Sequence, residues 1–274
     1  LPLEALKYLL SLWMTEGIGW MNSNAQMKMD FIDIRRAYFH AKAITDVYIK
    51  LPPEDSEDGY CGKLNMSMYG TRDAAQNWEK AYNEFMEECG FVAGISGPCV
   101  FWHKERDLRV VVHGDDFTIL GWQKDLDWFR SRIEHRFEIK FRGRMGCDDD
   151  DIKSIRILNR IVSLRDHGIE YEADQRHAEI IVKQMGLSFS DKSVSTPIVK
   201  MSKADLDTGN DELDSGKGSM YRAMVARANY LAQDRSDIRF AVKELSRHMA
   251  KPRDKDLVRL KRLARYRLVG KKKS

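Results

Sequence analysis

Val110-Val-Val-His-Gly-Asp-Asp-Phe-Thr-Ile-Leu120 sets an apolar, β-branched run on either side of His113-Gly-Asp-Asp116. Two such runs around a Gly-containing turn read as a β-hairpin, with Gly114 free to supply a positive φ. The arms are built to be buried, and the tip carries two adjacent carboxylates. Charge in such a place is costly unless it is paired or bound to a cation, so Asp115 and Asp116 are the first candidate site residues. Asp also suits turns for local reasons, which leaves a plain polar tip open as the other reading.

The bulk numbers bound the rest. The chain has 274 residues, 43% hydrophobic and 32% charged, with a net charge of +4. That is enough chain for a sizeable core and for about two domains. The mildly basic balance does not by itself require nucleic acid. No apolar run approaches the roughly 20 residues that span a bilayer, and no secretory signal pattern opens the chain. Cys61, Cys89, Cys99 and Cys147 have no metal-type spacing. Scattered single cysteines predict reduced thiols and an intracellular, non-secreted location. The start at Leu1-Pro2 fits a fragment or a processed piece.

Taken in order, Leu3 to Trp20 has helical apolar spacing and Met27 to Ile34 reads as a strand. Asp30 and Asp33 fall on opposite faces of that strand, because the side-chain period is two. Arg35 to Ala41 is a short amphipathic piece, Val47 to Leu51 a strand, and Glu54 to Asp58 a solvated loop. Lys63 to Tyr69 is extended, and Arg72 to Cys89 is a helix closed by Gly90. Cys99 to Lys104 and Leu108 to His113 pair and lead into the hairpin; Asp125 to Phe137 is a helix. This is an α+β pattern with antiparallel strands. Asp148 to Asp151 reads as a solvated acidic loop. Ile155 to Leu164 and Gly168 to Tyr171 form a hairpin, and Asp174 to Met185 a helix. Ser188 to Ser219 reads as a long loop or linker. Three helices follow, Tyr221 to Gln233, Asp237 to Ala250 and Asp254 to Leu268. The C-terminal part is strongly basic, and a basic helical bundle suits phosphate contacts.

A third carboxylate would turn the hairpin tip into a cation site. Two-metal phosphoryl transfer needs carboxylates from separate strands, and oxygen ligands suit Mg²⁺ or Mn²⁺. Asp33 and Asp30 compete for this place, and periodicity does not decide between them.

At this point the sequence resembles a family. Asp33-Ile-Arg-Arg-Ala-Tyr-Phe-His-Ala41 is similar to the first polymerase motif of reverse transcriptases. Lys63-Leu-Asn-Met-Ser-Met-Tyr-Gly-Thr-Arg-Asp-Ala-Ala-Gln-Asn-Trp78 resembles the K-L-x-x-S-L-Y-G-L-K-Q-A-P-R-x-W stretch of copia-type retrotransposon enzymes. Val112-His-Gly-Asp-Asp116 stands in the place of the Tyr-x-Asp-Asp box. Leu158 to Ile161, Arg176 to Glu179, Ser195-Thr-Pro197, Tyr221 to Met224 and Asp237 to Ser246 follow in the family's order. The resemblance covers nearly the whole chain, and the order and spacing of the boxes make it specific.

The resemblance implies a right-hand polymerase. Residues 1–165 would be the palm with partial fingers, and 166–274 the helical thumb and the start of the connection, with the fingers largely missing. Asp33, Asp115 and Asp116 would be the catalytic, metal-binding carboxylates for two Mg²⁺ or Mn²⁺ ions; the motif selects Asp33 over Asp30. Tyr38 would lie under the nucleotide sugar. Gly70, Arg72, Ala74 and Ala75 would lie against template and incoming nucleotide, whereas Trp78 reads as core. The implied partners are an RNA or DNA template-primer duplex, deoxynucleoside triphosphates, and the integrase and ribonuclease H domains of a parent polyprotein, with no membrane. Three positions depart from the pattern: His113 stands for Tyr, Asp73 for Gln and Ala75 for Pro. Two alternatives remain, an inactive or domesticated remnant that at most binds nucleic acid, and a metal-dependent nuclease.

Overall fold

The structure is a computed structural model and describes residues 2–15, 26–188, 191–199 and 209–266. Its order is α1 (Pro2–Thr15), β1 (Lys28–Ile34), a 3₁₀ turn (Ala37–His40), β2 (Tyr48–Ile49), β3 (Gly62–Lys63), α2 (Ala74–Glu88), β4 (Val92–Ala93), β5 (Val100–His103), β6 (Leu108–His113), β7 (Asp116–Gly121), α3 (Gln123–Arg136) and β8 (Ile139–Met145). Then come β9 (Ser154–Ile157), β10 (Arg160–Arg165), β11 (Gly168–Glu172), α4 (Gln175–Gln184), α5 (Ser215–Leu231), α6 (Ser236–Ser246) and α7 (Asp254–Arg265). The α+β class expected from the sequence is what the chain forms.

Two compact units divide the chain: residues 1–154 with 163–169, and 155–162 with 170–274. The expected division at 165/166 falls at the turn between β10 and β11, within the stretch 163–169 that belongs to the first unit.

The first unit is built on a six-stranded sheet in the order β4-β5-β6-β7-β1-β8. Every described pairing in it is antiparallel. Alternation sorts its side chains into two faces. Ile32, Ile34, Val110, Val112, Phe117 and Ile119 point to one face and pack with Trp78, Phe85 and Met86 of α2 and Phe129 and Ile133 of α3. This layer is dense in aromatics: Trp78 meets Phe137 edge-on at 5.1 Å and Phe85 meets Phe137 at 5.2 Å. Helix α1 lies against β6 and β7, and its Trp13 donates from Nε1 to the Met27 carbonyl at 2.8 Å. Asp33 and Asp116 belong to the second face.

The second unit has its own core, in which Ile181 of α4, Tyr221, Val225 and Ala228 of α5, Ile238 and Val242 of α6 and Leu260 and Leu263 of α7 come together. The Tyr221 hydroxyl donates to the Leu245 carbonyl at 2.8 Å. Arg160, almost wholly buried, donates to Asp234 at 2.9 Å and to the Tyr230 hydroxyl at 2.8 Å. Buried charge of this kind survives only when paired.

Several sequence expectations are corrected. The strand read over Ile155 to Leu164 is a hairpin, β9 and β10, because Leu158 (φ 47°) and Asn159 (φ 65°) both turn left-handed. Ile139–Met145, to which the sequence reading assigned no element, forms β8. The polar loop expected to run to Ser219 ends at Asp214, which accepts from the Lys217 amide at 2.8 Å and starts α5. Of the stretch Lys63 to Tyr69, read as extended, only Lys63 lies in a strand, β3, and Met66 makes an isolated bridge to Lys42. The parts of the Leu3–Trp20 helix and of the last helix at 16–20 and 267–268 lie outside the described residues, as does the basic tail.

Candidate active site

The hairpin forms as expected. β6 and β7 pair from Arg109↔Leu120 to His113↔Asp116, leaving Gly114 and Asp115 as the turn. Gly114 has φ 65° at the first of the two turn positions, where a type II′ hairpin turn calls for glycine. The turn is held from both sides. The Trp78 indole N–H donates to the Gly114 carbonyl at 2.8 Å, and the Ile34 amide donates to the Asp115 carbonyl at 2.9 Å. Trp78 is therefore core, as read from the sequence, and it also ties α2 to the turn.

Asp33 is the direct cross-strand partner of Asp116. Directly opposed residues on one face of a sheet stand about 5 Å apart, so the register alone brings two carboxylates together, with Asp115 one residue away on the turn. Asp116 is half-buried, Asp33 is partly buried and Asp115 is exposed. Burial pushes the Asp116 carboxyl above its ordinary value; Arg142 opposes this, and the negative charges of Asp115 and Asp33 add to it. The proximity of the three groups is thus electrostatic as well as geometric.

Asp30 is a different kind of residue. It lies on the other face, 1% exposed, and accepts from Arg144 Nε at 2.6 Å and Nη2 at 2.8 Å. Burial pushes its carboxyl up and Arg144 pulls it back, while the Arg144 guanidinium is raised, first by its bond to Asp30. Asp30 is thereby committed to a buried ion pair. Of the two aspartates that periodicity left open, Asp33 is the one the register sets opposite Asp116.

The carboxylates have basic neighbours that the sequence reading did not find. Lys140 is the register partner of Asp33 on β8. Arg142 donates from Nη1 to Asp116 Oδ1 at 3.1 Å. Pairing of β1 with β8 shifts between Phe31↔Gly143 and Ile32↔Phe141, so Arg142 is the extra residue of a bulge. The only sequence signal was Ile139-Lys-Phe-Arg-Gly-Arg-Met145 itself, in which Gly143 and alternating basic residues disguise a strand with a bulge.

Hard oxygen donors fit Mg²⁺ or Mn²⁺ in kind, and the register sets three of them around one end of the sheet. Among the described residues, however, no three His, Cys, Asp or Glu side chains are gathered closely enough to hold an ion as they stand. Asp116 is engaged with Arg142 instead. The acidic run is also accounted for: Asp148 and Asp151 both accept from Lys28 Nζ, which makes a salt-bridged loop.

The other site candidates divide. Tyr38, on the 3₁₀ turn after β1, packs on Tyr69 with ring centroids 4.4 Å apart, which joins it to the loop bearing Gly70 and Arg72. Gly70 has φ 95°, and a Cβ there would meet nothing within 4 Å, so glycine serves the backbone and leaves open space. Arg72 and Ala75 are exposed. Ala74 is corrected: at 1% exposure its methyl belongs to the core under α2 and touches nothing outside. Asp73, expected to bring negative charge toward a template path, is tied locally. Its carboxylate accepts from Asn77 at 3.1 Å, and hydrogen bonds from Asn77 and then Thr45 hold it below the usual range. His113 is exposed on the turn side of β6.

Residues 17–148 match the family described as reverse transcriptase (RNA-dependent DNA polymerase). The chain is similar to the retrovirus-related Pol polyprotein from transposon RE1 of Arabidopsis thaliana, 25% identical over 86% of this chain and 16% of the relative. It is also similar to that of transposon TNT 1-94 of Nicotiana tabacum, 23% identical over 89% of this chain and 18% of the relative. The transposon Ty1-GR3 Gag-Pol polyprotein of Saccharomyces cerevisiae is 25% identical over 44% of this chain and 7% of the relative. The chain thus spans about a sixth of the length of the plant polyproteins it matches. Residues 17–148 thus match the reverse transcriptase family, within a chain that over most of its length is similar to retrovirus-related Pol polyproteins of transposons.

Proposed function

We propose that the first unit is the palm of an RNA-directed DNA polymerase and that Asp33, Asp115 and Asp116 are its catalytic, metal-binding carboxylates. The observation that carries this reading is the register of β1 and β7, which sets Asp33 opposite Asp116 at the end of the sheet. Two Mg²⁺ or Mn²⁺ ions bound there would lower the pKa of a primer 3′-hydroxyl and neutralise charge on the transferring phosphoryl group. The protein's share is positioning. Trp78 and the Ile34 amide fix the turn, so Asp115 and Asp116 keep their place relative to Asp33. Tyr38, backed by Tyr69, offers an aromatic edge for the sugar of a deoxynucleoside triphosphate. Gly70, Arg72 and Ala75 line the approach of a template-primer duplex, Arg72 as a phosphate partner. The helices of the second unit serve as thumb and start of the connection, gripping the duplex backbone through basic side chains. Other Pol domains would accompany the chain in a parent polyprotein.

The test is extension of an oligo(dT) primer on poly(rA) with Mg²⁺ or Mn²⁺, with Asp33→Asn, Asp115→Asn and Asp116→Asn as controls. The reading predicts dTMP incorporation that each substitution lowers by at least about a hundredfold, the scale of losing a main electrostatic contribution to the transition state. Duplex binding without incorporation under any condition would instead support a remnant that only binds nucleic acid.

A further inference from the structure

Helix α7 has two unlike sides. Leu260 and Leu263 pack into the core of the second unit, whereas Lys255, Arg259, Lys261, Arg262 and Arg265 line a groove of about 460 Å³. The far wall of the groove is the stretch 194–199, which is fastened to the helix at two points. The Val194 amide donates to the Arg265 carbonyl at 3.3 Å, and Arg262 Nη2 donates to the Thr196 hydroxyl at 2.9 Å. Wall and helix both belong to the second unit.

Among the described residues the groove sets five cations against one carboxylate, Asp254, a net charge of +4. From Lys255 to Arg265 the helix rises about 15 Å, at about 1.5 Å per residue. One strand of a nucleic acid carries a charge about every 3.4 Å, so about four phosphates fit along that length and match the net charge. A peptide strand, at about 3.3 Å per residue, would need a carboxylate at nearly every position to do the same. Val194, Ile198 and Val258 give the groove an aliphatic lining, and among the described residues no aromatic ring lines it, so a base finds no platform to stack on. Three of the cations are arginines, whose forked guanidinium matches phosphate oxygens two at a time. Arg259 is also drawn on by the buried Asp256 at 3.6 Å, and Lys255 by Asn210 at 2.5 Å. Lys261 and Arg265 are exposed and Arg262 is half-buried, which makes these three the ones to test.

We propose that the groove between α7 and residues 194–199 is a phosphate track, which holds one strand of a nucleic acid along its sugar-phosphate backbone without reading its sequence. The proposal deepens the reading of the second unit as the region that grips the duplex, and rests on that reading for the class of partner.

The test is fluorescence anisotropy of a short labelled RNA–DNA hybrid with the full chain in EDTA, between about 50 and 200 mM KCl. Wild type is compared with Lys261→Gln/Arg262→Gln/Arg265→Gln, with the charge-keeping Arg262→Lys/Arg265→Lys, and with Lys80→Gln/Lys104→Gln/Lys124→Gln, which removes three exposed lysines of the first unit. Each is checked for folding by circular dichroism. The groove variant is expected to show a slope of log affinity against log salt shallower by about 2.7, at about 0.9 per phosphate contact. Wild type then loses about 40-fold more affinity than that variant over this range. The charge-keeping and first-unit variants are expected to keep the wild-type slope. If the triple change disturbs the fold, Arg265→Gln alone is expected to lower the slope by about 0.9. A groove variant with the wild-type slope, or a first-unit variant that loses as much, overturns the proposal. So does displacement of the hybrid by polyglutamate at a lower charge concentration than by poly(rA), which would assign the groove to an acidic peptide. Groove-dependent binding without dTMP incorporation leaves the phosphate track standing and removes the palm reading. An unchanged slope with incorporation intact does the reverse, and a wild type that binds no hybrid removes both.

Discussion

Replacing Asp30 and Asp33 in turn by Asn separates a structural carboxylate from the one proposed to be functional, three residues away on the same strand. The Asp30–Arg144 pair is closed to water, with side chains 2% and 14% exposed, and Asp30 accepts two guanidinium bonds at 2.6 and 2.8 Å. Removing one partner of a buried pair typically costs about 3–5 kcal/mol, because the other charge is left uncompensated. Arg144 keeps a second partner, Asp127, at 2.8 Å, so the lower end applies, about 3 kcal/mol. For a folding unit of this size that corresponds to a fall in Tm of about 6–12 °C, at about 2–4 °C per kcal/mol. Asp33 has no such bond to lose, and Asp33→Asn removes one of three mutually repelling charges, so its effect is expected to stay within about 0.5 kcal/mol. Thermal and urea unfolding followed by circular dichroism measures both. A loss below about 1 kcal/mol for Asp30→Asn, or a larger loss for Asp33→Asn than for Asp30→Asn, would refute the assignment of the two residues to opposite roles.

Trp78→Phe removes the indole donor to Gly114 and part of a buried ring; about 1 kcal/mol for the hydrogen bond and about 1 kcal/mol for the lost apolar volume predict a fall of about 2 kcal/mol in the urea unfolding free energy, with no fall being the contrary result. Asp116 has a folded pKa above its ordinary value of 3.8, first through burial. Its contribution to stability is therefore full below 3.8 and is lost as pH rises through the folded value. Asp116→Asn is then expected to raise the urea midpoint at pH 7 relative to wild type, and the two midpoints to converge below pH 3.8; a gap that does not change with pH would contradict the linkage.

The legible part of the fold was the part written in local pattern. The hairpin at 110–120 announced itself through β-branched runs and Gly114, and α2 and α3 through apolar spacing. The α+β class followed from these. β8 was not legible, because Lys140, Arg142 and Arg144 alternate across a strand in which Gly143 breaks the pleat, and its hydrophobic pattern is too weak to read. The hairpin of β9 and β10 was hidden because Leu158 and Asn159 make its turn without a glycine. At the site, Asp115 and Asp116 could be read as a pair and the family motif singled out Asp33, but periodicity alone left Asp30 and Asp33 level. Opposite faces follow from a period of two, and the physical reason one of them meets Asp116 is the pairing of β1 with β7. Ala74 misled for a related reason: a motif gives spacing along the chain, and burial under α2 is set by what packs from elsewhere.

The central proposal is that Asp33, Asp115 and Asp116 share a divalent cation and that the acidic run at Asp148–Asp151 does not. Localised cleavage with Fe²⁺ in place of Mg²⁺, driven by ascorbate and peroxide and mapped by mass spectrometry, tests it most directly. The account predicts backbone cuts at the ends of β1 and at the 113–116 turn, suppressed by excess Mg²⁺ and lost in Asp116→Asn. Cuts confined to 148–151, or cuts near Asp33 that persist in Asp116→Asn, would contradict it.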